Sequence, residues 1–247
     1  RRVAYRTESQ VPESRPHLTE YLVQELGPAF ERIGFKVEIC ENPVEGAGPL
    51  LVAERLEDAN LPTVLTYGHG DVIRGQAKQW RTGYSPWELK REGDRYYGRG
   101  SADNKAQHSV NMAALATVIA ERGRLGFNAK FLIETGEEVG SPGLQAFCTR
   151  ERARLKADVL IASDGPRLSV RRPTIYLGSR GAINMDFTVE LREGAHHSGN
   201  WGGLLANPGV ILAHALASIV TREGKVLVPD ILPAAIPASV KKALADA

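Results

Sequence analysis

Histidine and acidic residues gather in five short clusters: Gly68-His69-Gly70-Asp71, Gly98-Arg99-Gly100-Ser101-Ala102-Asp103, Glu137-Glu138, Ser163-Asp164-Gly165 and Ala195-His196-His197-Ser198-Gly199. Imidazole nitrogen and carboxylate oxygen are donors that zinc and its first-row neighbours accept, so one or more donors from each loop could build a metal site. His69 and Asp71 are two residues apart. On an extended chain both side chains point to the same side, where the imidazole can hold a metal and the carboxylate can steady it. The alternative is an exposed turn capped by Asp71. Asp103 follows glycines at 98 and 100, which permit a tight turn. Its two oxygens can bridge cations ~3.5–4 Å apart; its alternative role is the N-cap of the helix that follows.

Glu137 and Glu138 come just after the apolar run Phe131-Leu132-Ile133. Neighbouring side chains diverge, so one carboxylate can ligate a metal while the other reaches the attacking water. A solvated surface pair is the alternative. Asp164 ends the run Val159-Leu160-Ile161-Ala162, and a charge at the end of a buried strand must be paired or bound to metal; an Asp-Gly turn is its plainer explanation. His197 stands in a Gly-containing loop where His196 competes for any role, and a polar surface position is its default. Neither a phosphate-binding loop ending in Lys-Ser/Thr nor a Gly-x-Ser-x-Gly elbow is present.

Ordered elements must position these clusters. Leu18, Tyr21, Leu22, Leu26, Phe30 and Ile33 recur at three-to-four spacing, which predicts an amphipathic helix over 16–35 ending near Gly34. Val37–Cys40, Leu50–Arg55 and Thr63–Tyr67 are β-rich runs broken by Gly, Pro and Asn, and each predicts a strand. A polar loop over 70–100 leads to a helix over 104–122, whose spacing of Val110, Ala113, Ala114 and Val118 reads as buried. A strand at 130–134, a helix at 142–154 and a strand at 157–162 follow. Such alternation predicts an α/β domain, a mostly parallel sheet with helices on both faces and with ligand sites at the carboxyl ends of its strands. Beyond Gly178 a period-two strand over 182–191, with Ile183, Met185, Phe187 and Val189 on one face, and a helix over 207–222 open a second, smaller unit.

The 247 residues carry 31 basic and 29 acidic side chains, a net charge of +2 that excludes the large positive field of a charge-driven nucleic-acid binder. Small molecules are the expected partners. The sequence holds two cysteines, too few and too far apart for a disulfide framework, and both are expected as thiols in a reducing compartment. No run of ~18 apolar residues and no secretory leader is found, so a cytoplasmic location without membrane association is expected. The chain opens without Met and closes on a helical pattern, so both ends are expected to continue in a longer protein.

In order and context the clusters resemble the aminoacylase/carboxypeptidase family of co-catalytic zinc metallopeptidases. That family includes glutamate carboxypeptidase, acetylornithine deacetylase, succinyl-diaminopimelate desuccinylase and carnosinase-like dipeptidases. The resemblance runs from Leu65-Thr-Tyr-Gly-His-Gly-Asp-Val through Tyr97-Gly-Arg-Gly-Ser-Ala-Asp-Asn-Lys, Glu134-Thr-Gly-Glu-Glu-Val-Gly-Ser and Ser163-Asp-Gly to His197-Ser-Gly. Their joint occurrence is far more specific than any one motif. It implies two zinc ions, with cobalt or manganese able to occupy the same donors. His69 and Asp164 would bind one ion, Glu138 the other, and Asp103 would bridge both. Asp71 would orient His69, and Glu137 would be the general base. His197 would donate to the scissile carbonyl oxygen from a lid and dimerisation domain, often across a homodimer.

The implied substrate is a small amide: a dipeptide, a C-terminal amino acid or an N-acyl amino acid. The implied organisation is a catalytic domain over 1–178, incomplete at its C-terminal side, and a partial lid over 179–247. Two departures stand out. Ala106 occupies a position that is usually glycine in the family, and the histidine that completes the second metal site near the family's C-terminus has no counterpart among His196, His197 and His214. A non-catalytic or inactive truncated metal-binding homologue is therefore the competing expectation, although Glu137 is present.

Overall fold

The predicted first helix forms because its apolar stripe has a sheet to cover. In the computed structural model, which describes residues 1–167, 169–176, 182–232 and 235–246, α1 (Arg15–Glu20) runs through a π-helical stretch, Tyr21–Leu26, into α2 (Gly27–Glu31). The turn that follows reaches Gly34 at φ 80°, a left-handed conformation that glycine adopts without steric cost. The chain divides into two compact units, Arg1–Thr174 and Ile175–Ala247. The boundary read between 178 and 179 lies outside the described residues.

Five strands, β1 (Lys36–Cys40), β2 (Leu50–Arg55), β3 (Thr63–His69), β6 (Asn128–Glu134) and β7 (Val159–Ala162), form one sheet in the order β1-β2-β6-β3-β7. β1 pairs with β2, and β2 with β6, in antiparallel fashion, whereas β3 runs parallel to both β6 and β7. The α/β class stands and the sheet is mixed, its parallel pairing confined to the three strands that end at the acidic clusters. The loop predicted over 70–100 contains a polar hairpin of β4 (Lys90–Glu92) and β5 (Arg95–Tyr97).

Helices cover both faces. On one, Tyr21, Leu22, Leu26 and Phe30 pack with Leu51, Ala53, Phe131 and Ile133 and with Met112 of α3 (Lys105–Arg122). On the other, Phe147 of α4 (Leu144–Arg150) packs with Leu50, Val52 and Leu132. Alternate residues of β2 and β6 thus enter opposite cores, as the pleat requires. Phe131 is fully buried with its ring centroid 4.8 Å from that of Phe30. Phe131→Ala is expected to cost ~3–5 kcal/mol in urea unfolding; a loss below ~1 kcal/mol would show that the two aromatic layers do not support each other.

Two expectations are corrected. Helix α3 forms, but Val110 is 65% exposed and Ala113 and Ala114 are exposed, while Lys105, His108 and Met112 are the buried positions. Alanine fits either face of a helix, and the buried stripe of α3 includes polar residues that have partners inside. The strand read over 182–191 is not formed among the described residues: the segment carries no ladder, and Ile183, Met185 and Phe187 are exposed. Alternation supplies a face, but a strand also needs a neighbour to bond.

In the second unit a single turn, α5 (Ser198–Trp201), precedes α6 (Pro208–Ile219), which Asn207 caps through the N–H groups of Gly209 and Val210, and α7 (Ala238–Asp246). Cys40 and Cys148 are free thiols. Among the described residues no helix is long and apolar enough to cross a membrane.

Candidate metal centre

β3 delivers His69 to the carboxyl end of the sheet, where imidazole and Asp71 are both fully buried. His69 Nδ1 faces Asp71 Oδ1 at 3.2 Å and the Asp71 carbonyl at 3.1 Å. Its Nε2 points the other way, at Asp103 Oδ1 (2.9 Å), Glu137 Oε2 (3.9 Å) and Asp164 Oδ2 (4.0 Å). Two donor groups result: His69 with Asp103 and Asp164, and His69 with Glu137 and Glu138, the ligand atoms of each within 4.8 Å of one another.

Asp71 does more than face His69. Its Oδ1 also accepts the Glu137 N–H (3.2 Å) and its Oδ2 the Glu138 N–H (3.1 Å), so one buried carboxylate fixes the imidazole and the turn carrying both glutamates. The turn itself, Glu137–Val139, is closed by Gly140 at φ 86°. Glu134, three residues before that turn, accepts from Tyr67 Oη (2.6 Å) and Ser141 Oγ (2.8 Å). Sequence reading quoted Glu134 without giving it a role; an acid following an apolar run was the available signal.

The electrostatics follow from this crowding. Burial raises the carboxyl pKa values of Glu137, Glu138 and Asp164, opposed by His69 and reinforced by neighbouring carboxylates, Asp103 among them in each case. Burial alone would lower His69, but its bond to Asp71 and the charges of Asp71, Asp164 and Asp103 lift it to about 9. An imidazole and four converging carboxyl groups form the donor chemistry a divalent cation satisfies, and an all-nitrogen-and-oxygen set suits zinc, cobalt or manganese. The residues present fit such an ion.

His197 lies in the second unit at the N-cap of α5, where its Nδ1 accepts the Gly199 N–H at 3.1 Å. Its neighbour His196 stands edge-on to Trp201 with ring centroids 5.9 Å apart.

The model of peptidase family M20/M25/M40 matches residues 65–241, a stretch that contains His69, Asp71, Asp103, Glu137, Glu138, Asp164 and His197. The chain belongs to this family. It is 38% identical over 188 residues to the Beta-Ala-His dipeptidase of Mus musculus, covering 74% of this chain and 37% of that protein. It is 32% identical over 192 residues to the cysteinylglycine-S-conjugate dipeptidase of Corynebacterium striatum, covering 77% and 40%. The crystal structure of human carnosine dipeptidase 1 matches with a TM-score of 0.73 and 27% identity over 100% of this chain and 54% of that one. The chain thus spans about two fifths of the length of these two curated M20 relatives.

Proposed function

We propose that the protein is a metal-dependent dipeptidase that hydrolyses the amide bond of a small dipeptide with two zinc ions. The observation that carries this reading is the convergence of carboxylates from three separate loops on the Nε2 of one buried histidine. Its similarity to dipeptidases acting on Beta-Ala-His and cysteinylglycine conjugates supports the choice of substrate class. His69 and Asp164 would hold one ion and Glu138 the other, and Asp103, more exposed than His69, Glu137 and Asp164, would serve both.

In such a site divalent cations polarise the amide carbonyl and bring the pKa of water towards neutrality. The remaining steps belong to side chains. Glu137 takes the proton of the attacking water and returns it to the leaving amine, a task for which a raised carboxyl pKa is suited. Asp71 keeps His69 turned and holds Glu137 at its post. In the second unit we assign His197 as the donor to the carbonyl oxygen: with Nδ1 accepting from Gly199, the ring donates through Nε2. That unit, Ile175–Ala247, would serve as lid and dimerisation domain of a homodimer.

The test is hydrolysis of a dipeptide panel including Beta-Ala-His and Cys-Gly, before and after removal of metal with a chelator. Hydrolysis lost on chelation and restored by zinc, cobalt or manganese is expected. Absence of bound metal by elemental analysis, or turnover indifferent to the chelator, would overturn the reading.

A further inference from the structure

The ladder between β3 and β7 stops at Tyr67 opposite Ala162, yet the residues that follow on the two strands lead directly to His69 and Asp164. What joins the strand ends there is a side chain from the start of α3. Asn104 is fully buried; its Oδ1 accepts the His69 backbone N–H at 3.3 Å and its Nδ2 donates to the Ser163 carbonyl at 2.6 Å. Its amide thus stands between two parallel strands in the place of a ladder bond, at the point where the two must part to present ligands.

The orientation of that amide is fixed by the two N–H groups its oxygen accepts from. His108, one helical turn along α3, faces Asn104 Oδ1 with Nδ1 (3.3 Å) and Tyr21 Oη with Nε2 (2.8 Å). Burial keeps His108 neutral, so it has one N–H to give. A carbonyl oxygen can only accept, which puts that hydrogen on Nδ1 and leaves Nε2 to accept from Tyr21. With its oxygen engaged by His108 and His69, Asn104 has its amino group fixed towards Ser163. The approach also needs Gly68, where a Cβ would come within 2.9 Å of Asn104 Oδ1. Two turns further along the same face of α3, Asn111 Nδ2 donates to Ser163 Oγ at 2.9 Å, a second tie on the loop that carries Asp164.

We propose that Asn104, seconded by Asn111, is the positioning residue that holds His69 and Asp164 at metal-binding separation by bridging the ends of β3 and β7. The proposal rests on the metal-dependent reading above and extends it to a residue that is not a ligand. Outer contacts of this kind tune metal affinity by about 10–100-fold.

The experiment is titration of the metal-depleted protein with Co2+, following its visible absorption, for wild type, Asn104→Ala, Asn111→Ala and Tyr21→Phe, with thermal melting of each metal-depleted variant. Tyr21→Phe removes a bond at the far end of the same buried chain without touching either strand end, and so controls for loss of stability alone. Asn104→Ala is expected to weaken Co2+ by about tenfold or more and to alter the intensity of the band, and Asn111→Ala to weaken it by about threefold. Tyr21→Phe is expected to lower the melting temperature and keep the wild-type spectrum and affinity. If Asn104→Ala does not fold, Asn111→Ala decides the matter. Wild-type affinity and spectrum in the folded asparagine variants overturn the proposal, as does equal weakening in Tyr21→Phe. Failure of the wild-type protein to bind Co2+ would instead overturn the metal-dependent reading itself, and this inference with it.

Discussion

Glu137→Gln is expected to lower turnover by ~10²–10⁴-fold while metal content stays at the wild-type level. Glutamine keeps the volume of the side chain, and the backbone N–H that binds Asp71 Oδ1 is untouched, so the turn should hold its shape. What is lost is a carboxylate whose pKa burial and the neighbouring acids Asp164, Asp71 and Asp103 have raised, with His69 opposing. An amide can neither take the proton of water nor return one to an amine. Asp103→Ala is the contrast: it deletes the oxygen nearest His69 Nε2 and should lose both metals together with activity. Elemental analysis beside dipeptide hydrolysis separates the two variants. Equal loss of metal from both would mean that Glu137 is a ligand and that the division of labour between Glu137 and Glu138 is wrong.

The elements that present the site were legible because each ends in a change of chemistry. β2 occupies the run Leu50–Arg55 as expected, and β3 leads into His69 as its Gly68-His69-Gly70 sequence suggested. Strand direction was not legible. Leu51-Val52-Ala53 is buried on both faces, as is Phe131-Leu132-Ile133 beside it, and such a run reads the same in either sense. Alternation over 182–191 misled for the opposite reason, since a pattern of faces contains no information about whether a partner strand lies alongside.

The parts of the site that escaped the sequence are those that depend on distance along the chain. The bond between Tyr21 and His108 spans 87 residues, and that between Asn104 and Ser163 spans 59. Asn104 was read only as the first residue of a helix, and His108 received no role. Tyr21 was counted for its apolar ring, which does pack in the core, but its hydroxyl also closes a polar chain leading to the ligand strands. Asp71 was assigned to His69 alone; its bonds to the N–H groups of Glu137 and Glu138 required the fold to bring β3 and β6 together in parallel.

Metal affinity is expected to rise about tenfold for each pH unit up to about pH 9 and then level off. His69 carries the reason. Desolvation would favour its neutral ring, yet the bond from Nδ1 to Asp71 and the charges of Asp71, Asp164 and Asp103 outweigh burial and lift its pKa to about 9. At neutral pH the Nε2 that faces Asp103 therefore holds a proton, and a cation must displace it. Binding coupled to release of one proton strengthens as pH rises, with unit slope below the pKa of the group that loses it. At lower pH Glu138 and Asp164, raised by burial, add their own protons to the exchange, so the slope should steepen there. Calorimetric titration with Zn2+ in two buffers of different ionisation enthalpy measures the protons released directly. Asp71→Asn removes the strongest influence holding the imidazole charged, and should move the plateau to lower pH. Zinc affinity flat between pH 6.5 and 8.5 in the wild-type protein would mean that His69 is neutral before the ion arrives, and that Asp71 orients the ring without charging it.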